Sequence, residues 1–306
     1  MLPKVIFIVG PTSSGKSAVA VSLAGKLNGE IISGDSMQIY RDMDVITQTP
    51  ADGLLSRVPH YLVKTLSPEE EYNAARFAEE AKAAVSLMIG KGKTPIVAGG
   101  TGLYIKALVD GIFSSPAKDD DLRRSLRDAA KEKGKGYLYE QLKSVDPETA
   151  DKLHPNDLGR VIRALEVYNN TGSTIHKKKA ESEGISAKYD CRFFGLELPR
   201  KILYGRINTA IDRMFETGLV EEVKRLKARR LGLTAAKALG IKEVGAYLEG
   251  KWDIEQAKEE LKKNTRRYAK RQLTWFRADR RIIWIDADRG VEEIVGDILK
   301  GLRGKG

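Results

Sequence analysis

Residues Gly10-Pro11-Thr12-Ser13-Ser14-Gly15-Lys16-Ser17 spell G-x4-G-K-[ST], and no other feature limits the fold of this chain so much. The apolar run Val5–Val9 precedes the motif and a helical pattern, Ser17–Leu27, follows it, stopping at Asn28-Gly29. A strand, a glycine-rich turn and a helix in that order make a phosphate cradle. Glycine lets backbone N–H groups turn inward around an anion, and the helix N-terminus adds partial positive charge. Lys16 supplies a mobile cation, and the Ser17 hydroxyl can hold Mg²⁺. The loop is of the nucleotide-binding class that includes ATP sites, so the chain binds a di- or triphosphate. The motif alone does not say which.

The pattern around the loop extends to a sheet. Glu30–Ser33 reads as a second strand, Glu69–Ile89 as a helix closed by Gly90 and Gly92, and Pro95–Ala98 as a third strand. This β-α-β-α-β order predicts an α/β fold, a P-loop NTPase-like parallel sheet core with helices on both faces. Near Ser114-Ser115-Pro116 the character changes, and residues 117–187 show helical patterns without a buried strand. Lys177-Lys178-Lys179 and the segment from Glu181 read as an exposed loop. A β-like run returns at Cys191–Leu198, followed by long helices at about 200–230 and 253–278, an apolar run Ile282–Ile285, and a closing helix Val291–Leu302. Residues 1–116 and 190–306 are therefore expected to form the core, with 117–189 as an inserted, mainly helical domain.

A P-loop ATPase needs a carboxylate on its metal after a second core strand. The place for it holds Gly99-Gly100-Thr101-Gly102, which offers backbone N–H groups and a hydroxyl but no acid. Asp286, at the end of Ile282-Ile283-Trp284-Ile285, reads as a turn residue after a late strand. Asp35 is better placed, just past the second strand, because ligands lie at the carboxyl ends of strands in such sheets. There it can bind metal, take a proton, or merely cap a turn.

Composition narrows the function class. The chain has 306 residues and net charge +11. Residues 201–281 carry 21 Lys and Arg against 11 Asp and Glu, whereas residues 1–113 balance at 11 each. Arg266, Arg267, Lys270 and Arg271 recur at helical spacing among Tyr268 and Trp275, either as a phosphate-tracking face or as a solvated helix. One cysteine, Cys191, excludes an internal disulfide, and the three histidines have no metal-site spacing. No apolar run approaches the roughly 18 residues that span a bilayer. A cytoplasmic protein without a secretory segment or membrane partner, acting as a monomer, is expected.

Five segments in order then carry a resemblance. Gly10–Ser17, Ser33-Gly34-Asp35-Ser36-Met37-Gln38-Ile39-Tyr40, Gly99-Gly100-Thr101-Gly102-Leu103-Tyr104, Arg160-Val161-Ile162-Arg163-Ala164-Leu165-Glu166-Val167 and Arg266–Phe276 together resemble the tRNA isopentenyltransferase family, the tRNA dimethylallyltransferases. The resemblance implies transfer of a dimethylallyl group from dimethylallyl diphosphate to N6 of the adenine 3′ to the anticodon, with release of diphosphate. Gly10, Pro11, Thr12, Ser13, Ser14, Gly15, Lys16 and Ser17 would then hold the diphosphate, with Mg²⁺ on Ser17. Asp35 takes the role of general base, and Thr101, Lys16 and Arg206 complete the catalytic set.

The anticodon stem-loop of tRNA is the implied partner. Its implied contacts are Asp35, Ser36, Met37, Gln38, Thr101, Arg123, Gly159, Arg160, Val161, Ile162, Arg163, Lys237, Lys242, Arg267, Lys270 and Arg271. Gln38 could hydrogen-bond a base edge, with Met37 as packing.

The chain departs from the family pattern at cationic positions. Ala210 stands four residues after Arg206, where a second arginine is usual, so Arg206 or Arg213 would stand in. Thr49 replaces a usual lysine and Lys64 a usual aspartate. These changes bear on diphosphate clamping more than on fold. Three other readings stay open on the residues: a small-molecule P-loop kinase using ATP, an RNA-binding protein without catalysis, and a prenyltransferase of free adenine nucleotides.

Overall fold

In a computed structural model, which describes residues 2–113, 119–175, 177 and 182–303, the chain divides into two units, residues 1–109 with 185–306 and residues 110–184. The first unit is built on a six-stranded sheet, all parallel. Its strands are β1 (Lys4–Val9), β2 (Gly29–Ser33), β3 (His60–Tyr61), β4 (Thr94–Gly99), β5 (Asp190–Glu197) and β6 (Ile282–Asp286), in the order β3-β2-β4-β1-β5-β6. β1 is central, and its residues Val5 to Val9 are at most 1% exposed. A strand buried on both faces needs a continuous apolar run, which is the pattern seen there.

Helix α1 (Lys16–Leu27) follows the phosphate loop and packs beside the last helix, Val291–Arg303. Helix α3 (Ala74–Gly90) packs on β2 and β4, after the single-turn α2 (Asp52–Leu55). α3 starts five residues later than its composition suggests. Asn73 is the reason, because its Oδ1 accepts the Ala75 and Arg76 N–H groups and caps the helix there. Glu69, outside the helix, pairs instead with Arg229. Helix α4 (Gly102–Asp110) leaves the Gly99–Gly102 turn.

The second unit holds, among its described residues, four helices and no strand: α5 (Asp120–Lys133), α6 (Lys135–Val145), α7 (Pro147–Ala150) and α8 (Leu158–Thr171). Leu138, Leu142, Ala150, Val161 and Leu165 form its core. Its boundaries lie at 109/110 and 184/185 rather than 116/117 and 189/190. Ile185 is buried and Ser186 Oγ donates to the Val109 carbonyl, so the chain rejoins the core before β5 begins. Most of the lysine-rich loop near 177–181 lies outside the described residues.

Glu166 on α8 is 1% exposed and is the charge centre of this unit. Arg123 Nε and Nη2 reach its two oxygens at 2.7 and 2.8 Å, Arg163 adds a third guanidinium bond, and the Asp119 N–H a fourth at 3.0 Å. Burial pushes the carboxyl up, but these donors outweigh it and hold Glu166 below its ordinary value. A depressed folded value means that its contribution is complete above about pH 4.5 and is lost as pH falls further. Glu166→Gln should destabilise the chain by on the order of 3 kcal/mol at pH 7, because two guanidiniums lose their counter-charge. Denaturant titrations at pH 7 and pH 3.5 check this; the variant should show the smaller difference between the two.

The helices after β5 are α9 (Arg200–Glu216), α10 (Leu219–Lys227), α11 (Ile241–Leu248), α12 (Ile254–Arg277) and, after β6, α13 (Val291–Arg303). The single long helix read over 200–230 is broken at Gly218, whose φ of 100° belongs to the left-handed region. α12 begins with a capping box, Asp253 with Gln256, and packs on α9 and α11.

Candidate active site

The phosphate loop closes at the C-terminal end of β1 with Gly10, Ser13 and Gly15 all at positive φ. This curls the backbone N–H groups toward one centre. The Lys16 ammonium folds back to the Pro11 carbonyl at 2.6 Å. Burial lowers it to about 8, and the Asp35 carboxylate acts in the opposite direction. The base candidate and the loop cation thus share one field. The Ser13 and Ser14 hydroxyl oxygens are buried without hydrogen-bond partners. Buried, unsatisfied hydroxyls in a nest of N–H groups suit an anionic ligand.

Asp35 follows β2 after a single glycine, Gly34. Its Oδ1 accepts the Met37 N–H at 2.9 Å, so it does cap its own turn, as one reading of the sequence allowed. Its charge also reaches Tyr104 and Tyr268, where with burial it pushes both phenols up. Thr101 Oγ1 accepts from the Ser36 N–H at 3.0 Å and lies 3.3 Å from Ser36 Oγ, while its own N–H donates to Gly34 O. The Ser33–Tyr40 and Gly99–Tyr104 motifs therefore meet at the strand ends. Gln38 is engaged with Ser33 Oγ at 3.2 Å and with Gln48 O, and Met37 is half-buried.

One face of α12 closes this site. Tyr268, Gln272 and Trp275 follow one another at i, i+4 and i+7, on one side of the helix. Thr101 and Gln272 lie close enough to Tyr268 to oppose, in part, the rise that burial imposes on its phenol. Gln272 joins Thr12 N to Gly100 O, each at 2.9 Å. The approach is so close that a Cβ at Gly100 would lie 2.2 Å from Gln272 Nε2, and one at Gly102 only 2.1 Å from the Trp275 ring. The glycines of G-G-T-G make room for a helix here, a reason the motif alone does not disclose.

Beyond this face α12 carries Arg267, Lys270 and Arg271, all exposed. Arg271 lies 5.7 Å from the Tyr268 ring centre. Lys237 and Lys242 are exposed as well. Lys263 chiefly, with Arg267 and Lys242, holds the Glu260 carboxyl below its ordinary value, so Lys242 on α11 and Arg267 on α12 share a basic surface. Arg266 does not join it, because its Nη1 donates to Asn208 on α9 at 2.7 Å.

Other residues singled out from sequence stand elsewhere. Arg206 reaches Asp288 at 3.4 Å, in the turn after β6. Thr49 bonds Thr47 Oγ1 at 2.7 Å, and Lys64 pairs with Asp44 at 2.9 Å, so both family departures have local partners. Asp286 is not in the turn but ends β6, paired with Glu197, and its Oδ1 accepts the Asp288 N–H of the turn that follows at 2.9 Å. In the second unit, Arg123, Arg163, Arg127 and Lys131 border a groove of about 560 Å³ floored by Leu158 and Ile162. Gly159 and Arg160 are exposed at the start of α8. Val161 is corrected: it is 0% exposed and fills the core, so its side chain is closed to a ligand.

The model of the IPP transferase family matches residues 38–279. The chain belongs to that family. It is 46% identical over 286 residues to the tRNA dimethylallyltransferase of Carboxydothermus hydrogenoformans, covering 92% of this chain and 91% of the relative. The full-length tRNA isopentenylpyrophosphate transferase of Bacillus halodurans superposes with a TM-score of 0.73 at 38% identity, over 98% of this chain and 96% of that one. A eukaryotic dimethylallyltransferase, solved while acting on tRNA, superposes with a TM-score of 0.80 at 31% identity, over 98% of this chain and 80% of that one. Family membership removes the small-molecule kinase reading. The phosphate loop and Asp35 precede the stretch matched by the family model, and their placement rests on the geometry above.

Proposed function

We propose that this chain transfers the dimethylallyl group of dimethylallyl diphosphate to N6 of the adenine 3′ to the anticodon in tRNA. One observation carries the reading most directly. Asp35 shares its field with Lys16 at a loop whose Ser13 and Ser14 hydroxyls are buried and unpartnered. The loop N–H groups and Lys16 hold the diphosphate, and Asp35 stands at the rim where an acceptor arrives.

In the reaction, N6 forms a bond to the allylic C1 as the C1–O bond breaks. Diphosphate departs with the bonding electrons, and the N6 proton passes to Asp35. An aromatic amine is a weak nucleophile, so a carboxylate that takes its proton as the bond forms is worth about 10²–10⁴ in rate. Charge grows on the leaving group, and Lys16 with the loop N–H groups stabilises the transition state more than the ground state.

The residues also fit Mg²⁺, which takes few protein ligands and completes its shell with substrate phosphates and water. Ser17 would hold it, and it would neutralise the leaving diphosphate. Thr101 and Ser36 would position the adenine beside Asp35, with Met37 and Gln38 shaping the wall. Arg206 would add a cation at the diphosphate only by leaving Asp288, with which it pairs here.

RNA would dock on Lys237, Lys242, Arg267, Lys270 and Arg271, and on the groove of Arg123, Gly159, Arg160, Ile162 and Arg163. Clustered cations that neutralise phosphates release counterions, so binding weakens with salt. Arg267→Ala with Lys270→Ala should weaken tRNA binding and lower the salt slope by about two, one per cation removed; an unchanged slope would exclude this face. No described helix is long and apolar enough to cross a membrane, and we place the protein in the cytoplasm, acting as a single copy.

The deciding experiment incubates the full chain with dimethylallyl diphosphate, Mg²⁺ and a tRNA carrying adenine at that position. N6-dimethylallyl adenine in RNA is the expected product. Product on free AMP alone, or salt-sensitive tRNA binding without product, would overturn the assignment.

A further inference from the structure

Gln272 sits 5% exposed on the most basic helix of the chain. A buried amide costs free energy unless both its ends are used, and here both are. Its Oε1 accepts the Thr12 N–H inside the phosphate loop, and its Nε2 donates to the Gly100 carbonyl. The two partners fix the orientation of the amide, because an N–H requires an oxygen and a carbonyl requires an N–H. Gln272 is thus tied at once to the loop after β1 and to the turn after β4.

Its neighbours in sequence face the other way. Lys270 and Arg271 immediately precede it and are exposed, and Arg267 is exposed a turn and a half earlier. A rotation or slide of α12 that seats those cations on a phosphate backbone would move Gln272 with them, because helix residues move as a body. The same displacement would act on the phosphate loop at Thr12, whose N–H Gln272 holds. The tight packing at Gly100 and Gly102 leaves no slack to absorb it.

We propose that Gln272 is a positioning residue that couples RNA docking on the outer face of α12 to the shape of the phosphate loop. The claim rests on the reading that α12 meets RNA, but it concerns the coupling and not the chemistry. Each ligand should raise the affinity for the other by the same factor.

Two variants of the full chain test it. Gln272→Met keeps nearly the same volume and removes both bonds. Gly100→Ala attacks the same joint from the loop side, with its Cβ forced against Nε2. Binding of inorganic diphosphate with Mg²⁺, and of an anticodon stem-loop RNA, is measured separately and together, and the KM of each substrate follows. In the unaltered chain RNA should tighten diphosphate binding about fivefold. In both variants diphosphate should bind about tenfold more weakly, donor KM should rise alike, RNA affinity should stay within about twofold, and the coupling factor should fall to about one.

No coupling in the unaltered chain overturns the proposal, as does coupling that persists in a folded variant. Equal loss of both ligands, or failure of both variants to fold, makes Gln272 a structural pin and overturns it too. Failure of the catalytic reading looks different: both ligands bind and couple, yet no prenylated adenine forms.

Discussion

Replacing Asp35 by Ala is expected to lower turnover by about 10³ while tRNA affinity stays within a few-fold of the unaltered chain. The carboxylate lies in the field of Lys16 and next to Ser36, which bonds Thr101, whereas the cations assigned to RNA lie at Lys237, on α11, on the outer side of α12 and in the second unit. Removing the proton acceptor therefore leaves the electrostatic footprint nearly intact. The structural role of Asp35, its bond to Met37 N, needs separating from the chemical one. Asp35→Asn does that, because its amide oxygen can still accept this N–H but cannot take up the N6 proton. Single-turnover rates with saturating donor, set against filter-binding affinities, measure the two effects. Equal loss of rate and affinity in both variants would make Asp35 a turn residue only.

Lys16→Met should reduce kcat/KM by about 10²–10³, the usual range for losing one preorganised donor to developing charge. The pH dependence gives a sharper signature. The Lys16 ammonium is lowered to about 8, so in the free protein it is charged below that pH and neutral above it. Diphosphate favours the charged form and raises its pKa on binding. Affinity should therefore fall as pH rises through about 8, and binding at pH 9 should draw a proton onto the lysine. Calorimetry in two buffers of different ionisation enthalpy measures that uptake. Lys16→Met should lose this component, and an unchanged proton uptake would move the titrating group elsewhere.

The parts of this molecule that follow from local pattern could be read without coordinates. The apolar run before Gly10, the glycine spacing of the loop and the helix stop at Asn28 each depend on residues close in sequence, and each is where the pattern puts it. β3 leaves no signature in the sequence because two residues, His60 and Tyr61, carry no period; they become a strand only by pairing with Ile31 and Ile32. Gln272 is hidden in the sequence for a similar reason. A lone amide among arginines looks like solvent-facing helix, and its burial depends on turns 172 and 260 residues away in sequence. Arg123 and Arg163 read as free cations until Glu166 proves to be buried between them. Long-range polar partners leave no trace in periodicity, so the site's chemistry was legible and its bracing was not.

The strand order has a consequence for how the chain is made. β1 leaves the ribosome well before its neighbours β4 and β5, which begin at Thr94 and Asp190. Until Asp190 and the residues after it are made, one flank of this apolar strand waits for a partner not yet translated. Such delayed pairing slows folding and leaves a sticky edge open to other nascent chains. Products truncated before residue 190 should therefore aggregate, and a shielding chaperone should be most needed while the inserted helices are emerging.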